Sequence, residues 1–254
     1  MRIIINCDDL GANATVNDRI FELMEQGRVT SATLMMNGPA IEDAVKRLAN
    51  YPQCSFGVHL NVTEFAPLSA HPHLLPLLNG KGEFAGNARR DPINIPLTAA
   101  IRQGVYAEWC AQIERAFDLG VPVSHLDSHH HVHTRASLFG VLKAAQKKFG
   151  IRRIRLRPNV LGAVRSLRKR ARVLTQLPWN FSLRHVAPAA ETTDGFASFT
   201  IFHQRLQAGC GWAGSIELMC HPGRERYAAE TELLRGPWRE DLARDARLIS
   251  YNNL

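Results

Sequence analysis

The chain has 254 residues, of which 45% are hydrophobic, 21% charged and 7% aromatic, with 18 Gly and 13 Pro. At about 150 residues per domain this is less than two domains, and the composition is that of a globular protein with a real core, which excludes a disordered chain, a collagen and a disulfide scaffold. Net charge is +8 from 31 Lys and Arg against 23 Asp and Glu, and the five cysteines are scattered with no C-x-x-C pair, so reduced thiols are expected rather than a cysteine zinc site.

Arg2 to Cys7 is an apolar, β-branched run, predicted as a buried strand that delivers Asp8 and Asp9 to a loop at its C-terminal end. No stretch approaches the roughly 18 to 20 apolar residues of a membrane helix, and MRIIINCDDLG turns acidic where a signal peptide would continue, so a cytoplasmic location is expected. A helix capped at Asn17 or a neighbour runs to about Gln26 and stops at Gly27, and Val29 to Met36 is the second strand. Ala40 to Asn50 has helical spacing, and Ser55 to Val62 reads as a third strand bearing His59. Residues 64–94, rich in Pro, Gly, His and Asn, are too long for an ordinary connection and are expected to be an insertion over the active face.

Leu97 to Leu119 repeats Ile101, Val105, Trp109, Ile113 and Phe117 every four positions, a long amphipathic helix that Gly120 ends. Val121 to Leu126 is a fourth strand leading into DSHHHVH, Ala136 to Phe149 a helix, and Ile151 to Leu156 a fifth strand closing at Arg157-Pro158. Val164 to Leu174 forms a helix with its arginines outward, while Pro178 to Thr193 shows no clear element. A helix from about Phe199 to Ala208 follows, then a last strand at Ser215 to Cys220, the turn His221-Pro222-Gly223, and a closing helix from Asp241 to Ser250.

Strands alternating with helices imply a parallel sheet, and roughly six such units in this length point to a barrel rather than an open sheet. Either architecture puts reactive groups at the C-terminal ends of the strands. The acids and histidines fall there: Asp8 and Asp9, His59, then Asp127, His129 and His131, and finally His221. One carboxylate with two imidazoles suits Zn²⁺ or Mg²⁺ and leaves positions for water and substrate, so a metal-assisted hydrolase follows. Two acids straight after an apolar strand are costly beside a core unless they bind something. Their side chains point to opposite sides in extended chain, so one can ligate a metal while the other holds or deprotonates a water. In SHLDSHHHVH the alternate positions His125, Asp127, His129, His131 and His133 share one side if the chain stays extended. His221, at a strand end before a Pro-Gly turn, suits a general acid near neutrality. The structural alternatives are a hydrogen-bonded core histidine at His59, a surface histidine tract, and a turn histidine at His221. His71, His73, His185 and His203 are assigned no role, and Ser128 lacks a nucleophile-elbow context.

Six blocks resemble, in residues and in order, the YdjC-like carbohydrate deacetylases, which include the chitooligosaccharide N-deacetylases. They are CDDLGANATVN (Cys7 to Asn17), GRVTSATLMMNGPA (Gly27 to Ala40), GVHLNVT (Gly57 to Thr63), SHLDSHHHVH (Ser124 to His133), TTDGF (Thr192 to Phe196) and ELMCHPG (Glu217 to Gly223). Spread to about residue 223, they cover nearly the whole chain, so residues 1–254 are read as a single domain of this kind. The resemblance implies an α/β fold, a distorted (β/α) TIM-like barrel with mostly parallel strands. It implies one divalent metal ion, Mg²⁺ or Zn²⁺, held by Asp9, His59 and His129, and removal of an acetyl group from an N-acetylated sugar. By analogy with metal-dependent polysaccharide deacetylases, Asp8 is the general base and His221 the acid; Arg157, Asp194 and His131 are carried as substrate-binding candidates. Leu10 stands where the family usually has an aromatic, and Ala12-Asn13 replace its usual polar residue; neither departure touches the proposed ligands.

The implied partner is a small-molecule carbohydrate, with no nucleic acid expected and a homodimer left open. One rival is deacetylation of an envelope glycolipid at a membrane surface. Arg152 to Arg172 holds nine cationic residues and no acid, a segment that could dock on anionic lipid, although a solvated helix face with one substrate-facing Arg is the simpler reading. The other rival, a non-enzymatic basic module binding a polyanion, explains the charge but leaves Asp8, Asp9, His59 and His129 unexplained.

Overall fold

Nine residues, Arg2–Leu10, form strand β1, and all but Arg2 are buried. Such a run is what a parallel strand covered on both faces requires. The computed structural model describes residues 1–86, 93, 95–160, 174 and 176–254. Among them β1 is the centre of a parallel sheet with β2 (Ser31–Leu34), β3 (Ser55–Leu60), β4 (Val123–Ser128), β5 (Gly195–Ser198), β6 (Ser215–Cys220) and β7 (Arg247–Leu248). The order is β4-β3-β2-β1-β6-β5, with β7 added to β1. The sheet curls into a half-barrel flanked by helices, an α/β fold that fits a distorted TIM-like barrel.

Two expected elements are replaced where closure becomes irregular. Ile151 to Leu156 is not a ladder strand: it makes single bridges, Leu126 with Ile154 and Arg153 with Glu191, and so spans the gap beyond β4 one residue at a time. The expected closing helix at Asp241 to Ser250 is also absent. Trp238–Asp241 is a 3₁₀ turn and Arg247–Leu248 is β7. The cause is the start of β1, which β2 joins only from Asn6 onward. Arg247 N donates to Met1 O at 2.9 Å and Ile249 N to Ile3 O at 2.8 Å, satisfying backbone groups that would otherwise be orphaned.

The helices follow the predicted order with shifted ends. Helix α1 (Ala14–Glu25) is capped by Asn13; Asn17, expected at the cap, is buried inside it, accepting from Gly11 N at 2.8 Å. After α2 (Ile41–Arg47) and a 3₁₀ turn, the long helix α3 (Ala99–Asp118) is capped by Thr98. Helix α4 (Phe139–Phe149) ends at a left-handed Gly150, and α5 (Leu177–His185) occupies a stretch that showed no clear element. Helices α6 (Phe199–Gln207) and α7 (Ala228–Arg235) flank β6. The helix expected at Val164 to Leu174 lies outside the described residues, save Leu174 itself, as does much of the basic segment and part of the 64–94 stretch. Among the described residues no helix is long and apolar enough to cross a membrane.

Alternation along the strands sorts two environments. Ile3, Ile5 and Cys7 join the apolar core against the helices, whereas Asn6 and Asp8 enter the barrel, where Thr33, His59, Asp127, Arg155 and Glu217 are also buried. The interior is therefore a polar network, and it opens at the C-terminal ends of the strands.

Candidate metal and catalytic site

Asp8 and Asp9 do not follow β1 but lie within it. The β1–β2 register shifts between Cys7 and Leu10, and Asp9 sits at φ 70°, a left-handed conformation uncommon for a residue with a side chain. Instead of pointing to opposite sides, both carboxylates line one open cavity of about 870 Å³ at the strand ends, with His59, His129, His131 and His221.

Two imidazoles converge on one oxygen. Asp9 Oδ1 is 2.9 Å from His129 Nδ1 and 3.4 Å from His59 Nε2, yet it is buried with no hydrogen-bond partner. An orphaned carboxylate oxygen facing two imidazole nitrogens fits a borderline divalent cation such as Zn²⁺. Asp8, His59 and Asp127 also lie close enough to share an ion. There, however, Arg155 already occupies Asp8 at 2.6 Å and Asp127 at 2.7 Å, so the Asp9, His59 and His129 trio is the better site.

The first imidazole is oriented from behind. His59 Nδ1 lies 2.6 Å from Asp127 Oδ1, and Thr33 Oγ1 donates to Asp127 Oδ2 at 3.0 Å, leaving Nε2 toward the cavity. Burial alone would push the His59 pKa down, but the Asp127 and Asp8 carboxylates outweigh it and hold it up to about 10. Burial would likewise raise Asp9, and the facing His129 and His59 hold it well below the usual carboxylate range. For Asp8, burial is outweighed by the Arg155 guanidinium and His59, so its carboxyl too is held low.

His221 enters from the end of β6. Its backbone N–H donates to Glu230 Oε1 at 2.8 Å, its ring stacks on Tyr227 with centroids 4.2 Å apart, and Nε2 lies 3.9 Å from Asp8 Oδ2. The turn after it brings Arg224 back over the site, Nε donating to Asp9 Oδ2 at 2.9 Å.

The histidine tract does not share one side. The strand ends at Ser128, and His130 and His131 take φ 52° and 55° in a kinked 3₁₀ stretch. His125 stays inside the barrel, stacked on Tyr251 at 3.6 Å, while His129 turns to Asp9 and His133 bonds Ser128 Oγ and Arg155 O. His131 lines the cavity edge-on to Phe196, and burial first, then Arg155, pushes its pKa down to about 3, so it is a neutral ring. Arg157 lies on the wall of a smaller cavity of about 230 Å³ beside His130 and His131, its guanidinium over the Trp179 ring. Asp194 is not brought to the site. It precedes β5 at the opposite end of the sheet, accepting from Ser215 N and Oγ at 2.8 Å each.

Sequence reasoning missed Arg155, Glu64, Arg224, Glu217 and Tyr251. Arg155 is fully buried and pairs with Asp8, Asp127 and Glu217, so it is no part of a basic surface. The available signal was indirect: buried acids on neighbouring strand ends need a counter-charge.

The family model described as "YdjC-like protein" matches residues 2–246. A carbohydrate deacetylase of Halalkalibacterium halodurans is 31% identical over 224 residues, covering 87% of this chain and 85% of that protein. One of Geobacillus stearothermophilus is 37% identical over 155 residues, 61% of this chain, and the matched part spans only 58% of that relative's length. A crystal structure from Enterococcus faecalis, assigned provisionally to cellobiose-phosphate cleavage, superposes with a TM-score of 0.72 at 24% identity over 99% of this chain and 98% of that one. At that identity the likeness is one of fold.

Proposed function

Because the chain belongs to the YdjC-like family, we propose that it is a metal-dependent hydrolase that removes the acetyl group from an N-acetylated sugar such as a chitooligosaccharide. The observation that carries this reading is the orphaned Asp9 Oδ1 between His59 and His129, with Asp8 and His221 beside it. A divalent cation held by Asp9, His59 and His129 would supply Lewis acidity to the amide carbonyl and to water. The two imidazoles match the ligand types of Zn²⁺ more closely than those of Mg²⁺, which prefers oxygen.

The chain's own groups handle the protons. Asp8, kept ionised by Arg155, accepts one from the attacking water; its Oδ2 lies 4.0 Å from His59 Nε2 and 3.9 Å from His221 Nε2, between the ligand set and the acid. His221 donates a proton to the nitrogen as the C–N bond breaks, so acetate and a free amine leave. The test is acetate release from N-acetylglucosamine oligomers by metal-stripped protein, with Mg²⁺, Zn²⁺ or Co²⁺ restored. Release that needs metal and disappears in His129→Ala is the expected result; equal release without metal would overturn the metal dependence, and none with any ion would overturn this substrate class.

A substrate presented at a membrane is the second reading. Helix α5 exposes Leu177 and Phe181, with Val186 just beyond, directly after the Arg165 to Arg172 run in sequence. Co-sedimentation with anionic but not zwitterionic vesicles, lost at high salt, is its expected signature.

A further inference from the structure

Resting on the metal-dependent reading, we propose that Glu64 is a positioning residue for His129, fixing which ring nitrogen faces Asp9 and so setting how tightly the site holds a divalent cation. A neutral imidazole offers a lone pair only from the nitrogen that carries no proton, and a carboxylate on the other nitrogen fixes that choice. At His59 this is done by Asp127 on Nδ1, which leaves Nε2 for the site. His129 shows the mirror arrangement. Its Nε2 lies 2.9 Å from Glu64 Oε2, and its Nδ1 is 2.9 Å from Asp9 Oδ1.

Asp127 acts from inside the barrel, whereas Glu64 is on the loop after β3 with about a third of its side chain exposed. A carboxylate there can orient a ligand only if the loop is held, and it is. Asn61 Oδ1 accepts from Thr63 N at 2.9 Å and Glu64 N at 3.2 Å, while its Nδ2 donates to Glu64 O at 2.6 Å. Asn37 Nδ2 donates to Glu64 O at 3.1 Å and Ala66 O at 3.0 Å, bracing the same turn from β2's end. Gln112 of α3 clamps Asn61 on both backbone groups, at 2.9 Å and 2.7 Å. The turn includes Phe65 at φ 66°, a strained conformation that persists only where the surroundings over-determine it.

Arg224 closes the arrangement. Its Nε bonds Asp9 Oδ2 at 2.9 Å and its Nη2 bonds Glu64 Oε2 at 3.2 Å, so Asp9, His129, Glu64 and Arg224 form one ring. Arg224 thereby occupies Asp9 Oδ2 and leaves Oδ1, which accepts no hydrogen bond, facing the two imidazoles. An ordinary exposed ion pair would need none of this pinning.

The experiment titrates Zn²⁺ and Co²⁺ into metal-stripped full-length protein by competition with a chelator, comparing wild type with Glu64→Gln and Glu64→Ala. Both substitutions fall on a partly exposed loop side chain and leave the core intact, which the unfolding midpoint of the metal-free protein checks. The expected result is about 10–100-fold weaker binding in both variants, with a changed Co²⁺ absorption spectrum and an unchanged metal-free midpoint. Wild-type affinity and spectrum in Glu64→Gln would overturn the proposal, as would weakening matched by a lower metal-free midpoint, which would mark a structural role. Failure of the wild type to bind any divalent cation would overturn the metal reading and this inference together, and the wild-type titration alone identifies that case.

Discussion

One guanidinium, Arg155, meets three buried carboxylates, those of Asp8, Asp127 and Glu217. It cannot neutralise all of them, and the excess falls on Glu217. Burial pushes Glu217 up to about 7 against the pull of Arg155 and of the Tyr251 hydroxyl, which donates to it at 2.5 Å. A carboxyl with a folded pKa above its unfolded value holds its proton longer when folded. Its contribution to stability is therefore complete below about pH 4.5 and is lost as pH rises through about 7. Glu217→Gln is expected to flatten the decline of the thermal midpoint between about pH 5 and 8; calorimetric scans of both proteins decide it, and an identical slope would remove Glu217 as the cause. Arg155→Leu strands three buried acids and is expected to lose about 3–5 kcal/mol in urea unfolding, whereas a loss below about 1 kcal/mol would mean the acids find other partners. The acids and histidines of the site were legible because a parallel fold puts reactive groups at strand ends. Arg155 was not, since in sequence it is one of several arginines alternating with isoleucine, and only the closure of the barrel separates it from the exposed Arg152.

At the scale of elements, the turn after β6 depends on Gly223. It adopts φ +81°, and a Cβ there would stand 2.7 Å from Val16 Cα, backbone against backbone at the start of α1. Gly223→Ala would therefore incur both the left-handed cost of about 1–2 kcal/mol and a displacement of the segment carrying His221 and Arg224. Gly27 is the control, with φ +63° and nothing within 4 Å of its Cβ position. Denaturant midpoints of the two variants should differ, with Gly223→Ala the lower, and the proposed deacetylation should fall several-fold in Gly223→Ala alone; equal behaviour would show that α1 yields at no cost. Elements with clean periodicity, such as α3 and β6, were legible in the sequence. Arg247–Leu248 was not, because its apolar spacing also suits a helix and only the edge of β1 that β2 does not reach turns it into a strand. The histidine tract failed for a related reason: alternation assumes an extended chain, and the left-handed His130 and His131 end it.

At the scale of the whole molecule, the central strand is finished last. Arg2 to Cys7 pair residue for residue with Ser215 to Cys220, and Arg2 and Ile3 also pair with β7. The proposed base and acid, Asp8 and His221, are the next residues along those two strands. On a ribosome adding about 5–20 residues per second, the interval between making β1 and making its partner is of the order of 10–40 s. Throughout that interval Ile3, Ile4 and Ile5 have no complete sheet to enter, and their open edge can pair with another chain. Synthesis of this protein thus carries a window of exposure set by topology rather than by stability, in which a holding chaperone would matter more than any stabilising substitution in the finished fold.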